Sequence, residues 1–277
     1  EWQGDQNWHV TPHWHEEIEF ICFKEGIFRV WLNAREYIIE SPALLCVHPQ
    51  ELHSIILTAG GRESAIVFSL DILSFEHYDA IQAQLISPLM DGRLRFPTVV
   101  REQDALYSVL RAAYDRAEEK IRAMNAFSIQ QEIEKNTCYL KVKTMLLEVL
   151  AHLYSNNCLV KEPDLRTENE QQIANLKKVI TYIMEHYDAD MRLNELACLV
   201  NMNPQYFCRY FKKNIGKTIT EYINDVRIEK AAQALAETND KIIDIAQNCG
   251  YENVSYFIRR FRRTKGMTPV QYREMSR

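Results

Sequence analysis

The last quarter of the chain contains an internal repeat with a fixed offset of fifty residues. The first copy consists of Tyr206, Phe207, Arg209, Phe211, Lys212, Lys213, Gly216, Thr218, Tyr222 and Arg227. The second copy has, at the matching positions, Tyr256, Phe257, Arg259, Phe261, Arg262, Arg263, Gly266, Thr268, Tyr272 and Arg277. A repeat of this kind indicates one supersecondary unit used twice. Here the unit is a short helix, a turn and a second helix rich in cations and aromatic residues.

Capping signals define the helices of the first copy. The stretch Leu193–Val200 predicts a short amphipathic helix, and a turn follows it. Asn203 is a favourable N-cap, and Pro204 then occupies the first helical position, where its missing N–H does no harm. The pattern predicts a second helix over Gln205–Asn214, which Gly216 ends in the left-handed conformation.

The second copy follows the same plan. Its sequence pattern predicts a supporting helix over Ile242–Asn248 and a turn at residues 249–251. It also predicts a helix over Val254–Lys265 that Asn253 caps. Between the copies, the apolar stripe of Thr218–Glu237 predicts one continuous helix that sets the spacing of the two units.

Each second helix has an apolar face and a polar face. The four phenylalanines of the repeat, at positions 207, 211, 257 and 261, are predicted to be core residues. Arginine can pair with guanine and glutamine with adenine, so the polar face has the chemistry for reading a major groove, while the cations one turn later suit phosphates. The candidate DNA-binding residues are Gln205, Cys208, Arg209, Lys212, Lys213, Val254, Ser255, Arg259, Arg262 and Arg263.

Charge is distributed unevenly along the 277 residues. Residues 171–277 carry 17 Lys/Arg against 12 Asp/Glu, whereas the whole chain has a net charge of -5. A basic module joined to an acidic one suggests that only the first meets nucleic acid. No apolar run approaches the roughly 18 residues of a membrane span, and no signal peptide is recognised. The seven scattered cysteines fit reduced thiols, so we expect a cytoplasmic protein with no membrane partner.

The first part of the chain is rich in short β-branched and aromatic segments. Turn residues such as Gly26 and the pair Gly60-Gly61 separate several of them, which indicates a barrel or sandwich, most simply a jelly roll. The predicted strands are Ile18–Phe23, Ile27–Leu32, Tyr37–Ile39, Ala43–Val47, Ser54–Leu57 and Ala65–Leu70.

Helical periodicity replaces the strand pattern after the barrel. Apolar stripes predict helices over Gln103–Arg122 and Ile133–Tyr154. These helices can cover the barrel or pair with a second subunit, and we favour a homodimer. The predicted domains are a barrel over 1–100, a helical dimerisation segment over 101–155, a polar linker over 156–171 and a helical domain over 172–277.

The C-terminal region resembles the two-helix-turn-helix domain of the AraC/XylS family of bacterial transcription regulators. The resemblance covers residues 173–277, and its signature stretch is KIIDIAQNCGYENVSYFIRRFRRTKGMTPVQYR at 241–273. It implies an α+β multidomain protein in which a cupin-like barrel senses an effector and two helix-turn-helix motifs bind DNA. It also implies that Gln205, Cys208 and Arg209 face bases from the first reading helix. From the second helix, Val254, Ser255 and Arg259 would do so.

Four polar residues of the barrel region form a candidate ligand site. His13, His15 and Glu19 occupy odd positions that we expect to lie on one edge strand, facing the same side as His53. The run HWHEEIEFICFKEG resembles the first cupin motif, and HPQELH resembles the second, with Gln50 where a glycine is usual. The four side chains could contact an organic effector, hold a divalent transition metal, or serve only the fold.

Three functions follow from these patterns. The leading hypothesis is a non-enzymatic, sequence-specific transcription regulator whose partners are promoter DNA, a small effector and RNA polymerase. The alternatives are a regulator that responds to a metal ion and a metal-dependent cupin enzyme carrying a DNA-binding domain.

Overall fold

The computed structural model describes residues 2–4, 9–33, 35–75, 79–126, 132–161 and 168–276. The chain divides into two compact units, one comprising Glu1–His9 with Trp14–Arg166 and the other Val10–His13 with Thr167–Arg277. Residues 162–167 of the predicted linker, and Arg277 of the repeat, lie outside the described residues.

The first unit is rich in β structure. In the described part of the chain the strands are β1 (Trp2–Gly4), β2 (His9–His13), β3 (Ile18–Leu32), β4 (Arg35–Glu40), β5 (Ala43–Val47), β6 (His53–Phe68), β7 (Leu94–Arg95), β8 (Val99–Arg101) and β9 (Val160–Lys161). All of these except most of β2 belong to the first unit. The main sheet runs β1–β6–β3–β5–β8, and β4 pairs with β3. The pairing of β3 with β4, β5 and β6 is antiparallel throughout, which is the ladder expected of a cupin-like barrel.

Two pairs of predicted strands are each one long strand in the structure. The prediction that Gly26 and the Gly60-Gly61 pair end strands was wrong, because β3 and β6 continue through them with shifts of register. Gly26 has a φ of 106°, and a Cβ atom there would lie 1.7 Å from the carbonyl oxygen of Gly60. Glycine at position 26 therefore permits a bulge and a close backbone approach between the two strands.

Helices cover one face of this sheet. The helical segments of the first unit are a 3-10 turn (Leu70–Leu73), a π-helical turn (Gln82–Ile86), α1 (Ser87–Met90), α2 (Tyr107–Ala126) and α3 (Glu132–Ser155). Leu150 and Leu153 of α3 are buried in one cluster with Ile18 and Cys46 of the sheet. Both predicted helices are present, and their apolar stripes pack on the barrel.

The second unit is helical beyond residue 167. Its helices are α4 (Glu168–Glu185), α5 (Leu193–Leu199), α6 (Pro204–Ile215), α7 (Ile219–Glu237), α8 (Ile242–Asn248), α9 (Val254–Lys265) and α10 (Pro269–Met275). The connector between the copies, α7, is a single helix, as its apolar stripe predicts. A helix of this length spans about 28 Å. Tyr222 on α7 is buried and donates its hydroxyl to the carbonyl of Pro12, 2.7 Å away in the segment that clusters with this unit.

Candidate nucleic-acid interface and sensor site

The two reading helices begin and end as the repeat predicts. The side chain of Asn203 accepts a hydrogen bond from the backbone N–H of Tyr206 at 2.8 Å, and that of Asn253 from Tyr256 at 2.9 Å. Gly216 and Gly266 end the helices with φ values of 77° and 75°. The same capping pattern therefore produces two helices of twelve residues each.

An equivalent aromatic core holds each reading helix in place. Phe207 and Phe211 have no exposed surface, and the ring of Phe211 lies 5.6 Å from that of Tyr222. In the second copy Phe257 and Phe261 are equally buried, and the ring of Phe261 lies 5.5 Å from that of Tyr272. Burial of one face leaves the opposite face of each helix to solvent.

The predicted DNA-binding residues lie on these outer faces, with one exception. Nine of the ten are exposed: Gln205, Cys208, Arg209, Lys212, Lys213, Ser255, Arg259, Arg262 and Arg263. Val254 was expected to point outward, yet it is half-buried and packs against the core of the second copy. At the first turn of α9 its side chain lies beside the buried phenylalanine face rather than opposite it.

The six cations among the predicted contacts form no ion pairs with other described residues. Lys265, at the end of α9, is instead 2.6 Å from a carboxylate oxygen of Glu229 on α7. Exposed cations without an internal carboxylate partner are available for the phosphate backbone of a duplex.

Asp225 on α7 forms a buried cluster of ion pairs that the sequence patterns did not reveal. Its side chain is buried, with Lys217 Nζ 2.7 Å from one carboxylate oxygen and an Arg260 nitrogen 3.2 Å from the other. Lys217 follows the first reading helix, and Arg260 lies on the second. One carboxylate therefore links the connector to both copies. The pairing joins residues 35 apart, beyond the reach of helical spacing rules.

In the first unit, His15, Glu19 and His53 converge on one side of the sheet. A single carboxylate oxygen of Glu19 lies 3.4 Å from His15 Nε2 and 3.2 Å from His53 Nε2. The two imidazole rings are 5.1 Å apart, edge to face. His53 is almost fully buried, and the hydrogen bond with Glu19 raises the pKa of His15 above its usual value.

The expected placement of His13, His15 and Glu19 on one strand was wrong. His13 ends β2, in the segment that clusters with the second unit, and its Nδ1 lies 2.9 Å from the carbonyl oxygen of Thr11. His15 lies in the connection before β3, where its Nδ1 is 2.9 Å from the carbonyl oxygen of Glu17. The chain bends between residues 14 and 17, so alternation along one strand does not apply to these side chains.

Glu51 supports the loop that precedes His53. Burial opposes its ionisation, but hydrogen bonds with His48 and the charge of Arg95 lower the pKa of its carboxyl to about 2. The carboxylate accepts hydrogen bonds from the backbone N–H of His48 at 2.9 Å and from the side chain of Asn33 at 3.3 Å. This ionised residue fixes the loop from which β6 begins.

Comparison with known proteins agrees with both parts of this description. A model described as an AraC-like ligand binding domain matches residues 2–132, and one described as a helix-turn-helix domain matches residues 196–275. The architecture is that of a DNA-binding transcription regulator with an N-terminal ligand-binding domain. The chain belongs to the AraC family of transcription regulators.

The relatives differ in how much of their length the chain covers. It is 25% identical over 277 residues to the uncharacterized HTH-type transcriptional regulator YdeC of Bacillus subtilis, covering 98% of this chain and 88% of that protein. It is 32% identical over 101 residues to the melibiose operon regulatory protein of Escherichia coli K12, covering 36% of this chain and 33% of that protein. A solved structure, the C-terminal domain of the two-component response regulator yesN from Fusobacterium nucleatum, is 36% identical over 36% of this chain and 98% of that one, with a TM-score of 0.33.

Among the described residues, no helix is both long enough and apolar enough to cross a membrane.

Proposed function

We propose that this regulator recognises two neighbouring stretches of a promoter through the outer faces of α6 and α9. The observation that carries the proposal is the exposure of matched residues, above all Arg209 and Arg259, on two helices with equivalent cores. Arginine forms bidentate hydrogen bonds with guanine, the commonest specific contact in a major groove. In this proposal Gln205 and Ser255 add further base contacts, and Cys208 contributes an apolar one.

The remaining cations have a different role in the proposal. Lys212 and Lys213 lie one turn after Arg209, and Arg262 and Arg263 hold the same places after Arg259. Cations at such positions fit the phosphate backbone, which sets register and affinity without reading sequence.

The test is a DNA-binding titration of the full chain against promoter fragments. Arg209→Ala and Arg259→Ala should each weaken specific binding by roughly 1–3 kcal/mol. Lys178→Ala, which removes an exposed cation from α4, is the control and should have little effect on specificity. A protein that prefers no fragment over random DNA, or a control that costs as much as the arginines, would contradict the proposal.

A ligand of the first unit is proposed to control this DNA binding. The support is the match of residues 2–132 to a ligand-binding domain, together with the polar cluster of His15, Glu19 and His53. Control requires that the ligand bind one arrangement of the protein more tightly than another. The cluster could contact a polar organic effector directly, as the sequence suggests.

A metal-responsive regulator is the second candidate, because two imidazoles and a carboxylate meet at one point. This donor set fits a divalent transition metal, which binds imidazole nitrogen and carboxylate oxygen. Elemental analysis of the purified protein tests it, with His53→Ala against the half-buried His152→Ala on α3 as control. The metal-responsive function is supported if the protein contains stoichiometric metal that His53→Ala removes and His152→Ala does not. It is excluded if the protein stays metal-free after exposure to zinc, iron and manganese.

Homodimer formation is proposed for the start of α3. Ile133 and Leu140 there are 81% and 62% exposed, which is unusual for large apolar side chains spaced two helical turns apart. Sedimentation of the full chain should show a dimer that Leu140→Glu dissociates, and a wild-type monomer at micromolar concentration would contradict this. RNA polymerase is the further partner proposed for a regulator bound at a promoter.

A further inference from the structure

The main sheet of the first unit has two chemically different faces. Glu19 and Phe20 are successive residues of β3, so their side chains point to opposite sides. Glu19 belongs to the polar cluster with His15 and His53. Phe20 is paired in register with Cys46 on β5 and Ile66 on β6, and this row lies beneath the helices.

An apolar cavity of about 260 Å³ lies between this second face and the two helices. Phe20 and Phe68 contribute its floor, Leu110 and Ala117 its wall on α2, and Met145 and Val149 its wall on α3. For scale, an engineered apolar cavity of roughly 150 Å³ can bind benzene. Well-packed interiors contain few voids larger than a water molecule, so a space of this size is not ordinary packing.

The lining determines what the cavity can accept. No Asp, Glu, Lys, Arg or His is among its described lining residues. The buried hydroxyl of Tyr114 is already engaged, since it donates to the carbonyl oxygen of Ser64 at 2.7 Å. A charged ligand would lose its hydration here without gaining a partner, whereas an apolar one would lose nothing.

The cavity also has an opening. Tyr139 of α3 lines it and is 47% exposed, so its edge reaches solvent beside α3. On the other side, α2 is tied to β3 by Lys24 Nζ, which lies 3.0 Å from a carboxylate oxygen of Glu118. This ion pair holds α2 against the sheet at one edge of the cavity, whereas another edge of the cavity is open to solvent.

We propose that this cavity is a binding site for an uncharged, predominantly apolar small molecule, separate from the polar cluster on the opposite face. The inference rests on the proposed function in one respect, namely that a ligand of the first unit controls DNA binding. The lining of this cavity indicates the chemical class of that ligand. Its walls come from two helices and the sheet, so an occupant contacts all three layers at once.

The experiment uses two fluorescent probes that share a ring system and differ in charge. N-phenyl-1-naphthylamine is uncharged, and 8-anilino-1-naphthalenesulfonate carries a sulfonate. Titrated into the full chain, the uncharged probe should bind saturably, one molecule per chain and at least tenfold more tightly than the sulfonate. Absence of saturable binding, or equal affinity for both probes, would overturn the proposal.

A matched pair of variants on α2 locates the site. Ala117→Phe fills the cavity and should weaken binding of the uncharged probe at least tenfold, whereas Ala112→Phe adds the same ring on the exposed side of α2 and should leave binding unchanged. Circular dichroism and the thermal midpoint verify folding, and Ala113→Leu serves as a milder filling variant. Undiminished probe binding by a folded filling variant would place the probe elsewhere and end the proposal.

DNA binding is measured on the same samples. Loss of sequence preference with intact probe binding would count against the proposed function alone. Specific DNA binding without probe binding would count against the apolar site alone.

Discussion

The two copies of the helix-turn-helix unit have equivalent interiors but different attachments to the rest of their domain. In each, two buried phenylalanines pack with a tyrosine at the same position of the repeat, the buried Tyr222 in the first copy and the half-buried Tyr272 in the second. Position 210, however, is a tyrosine whose hydroxyl donates to the carbonyl of Gln172 on α4, whereas position 260 is an arginine paired with Asp225 on α7.

This difference reflects the neighbours of each copy. Both reading helices pack against the connector α7, but position 210 faces a backbone carbonyl of α4, whereas position 260 faces the carboxylate of Asp225. In this repeat the residues that build the unit and the cations of its outer face are kept, while the residues that fix the unit to its surroundings diverge.

The aromatic cores should show the largest and most equal effects. Phe211→Ala and Phe261→Ala each remove a fully buried ring, so each should lower the free energy of unfolding of the second unit by about 3–5 kcal/mol. Chemical denaturation followed by circular dichroism measures this, with the exposed Tyr206→Ala as control. A gap between the copies of more than about 3 kcal/mol, wider than the spread of about 2 kcal/mol among comparable core sites, would break their equivalence.

The ionic link at Asp225, which holds Arg260 of the second copy and also Lys217 of the first, should come next. Asp225→Asn leaves Lys217 and Arg260 without their charge partner, which should cost about 1–3 kcal/mol after allowance for the partial exposure of both cations. Glu229→Gln is the matched control, since it breaks the exposed pair between the same two helices and should cost at most about 1 kcal/mol. If the two substitutions cost the same, Asp225 does not hold the copies together.

The neutral attachment of the first copy should give the smallest effect. Tyr210→Phe removes one hydroxyl hydrogen bond and keeps the ring, so a loss of about 0.5–1.5 kcal/mol is expected. Repeating the denaturation in added salt sharpens the comparison, because screening should reduce the effect of Asp225→Asn by a small part, as expected for a buried pair with partly exposed cations, and leave that of Tyr210→Phe unchanged. Tyr206→Phe, on the exposed side, controls for loss of a hydroxyl. A salt-sensitive Tyr210→Phe would contradict the distinction.

The sequence patterns predicted the helical domain more completely than the barrel. Caps such as Asn203 and stops such as Gly216 act over four residues or fewer, so local rules locate them well. The link from Asp225 to Arg260 was missed because it depends on how two helices, α7 and α9, pack. At Gly26 the pattern was recognised but misinterpreted, since glycine serves a bulge as well as a turn.

The candidate sites also differ in how completely the sequence predicted them. The outer faces of the reading helices follow from a period of 3.6 residues, and only Val254 departs from that expectation. Convergence of His15, Glu19 and His53 was anticipated from the motif, although not their path along the chain. The apolar cavity has no sequence signal, because it is a gap between layers whose lining comes from separate elements.

The alternating faces of β3 have a consequence for how such a sensor could diversify. Glu19 and Phe20 are adjacent residues, yet their side chains lie in different chemical environments. Substitutions at Phe20, Cys46 and Ile66 can reshape the apolar pocket and leave the histidines and their carboxylate untouched. Two signal specificities could thus evolve independently within one stretch of polypeptide.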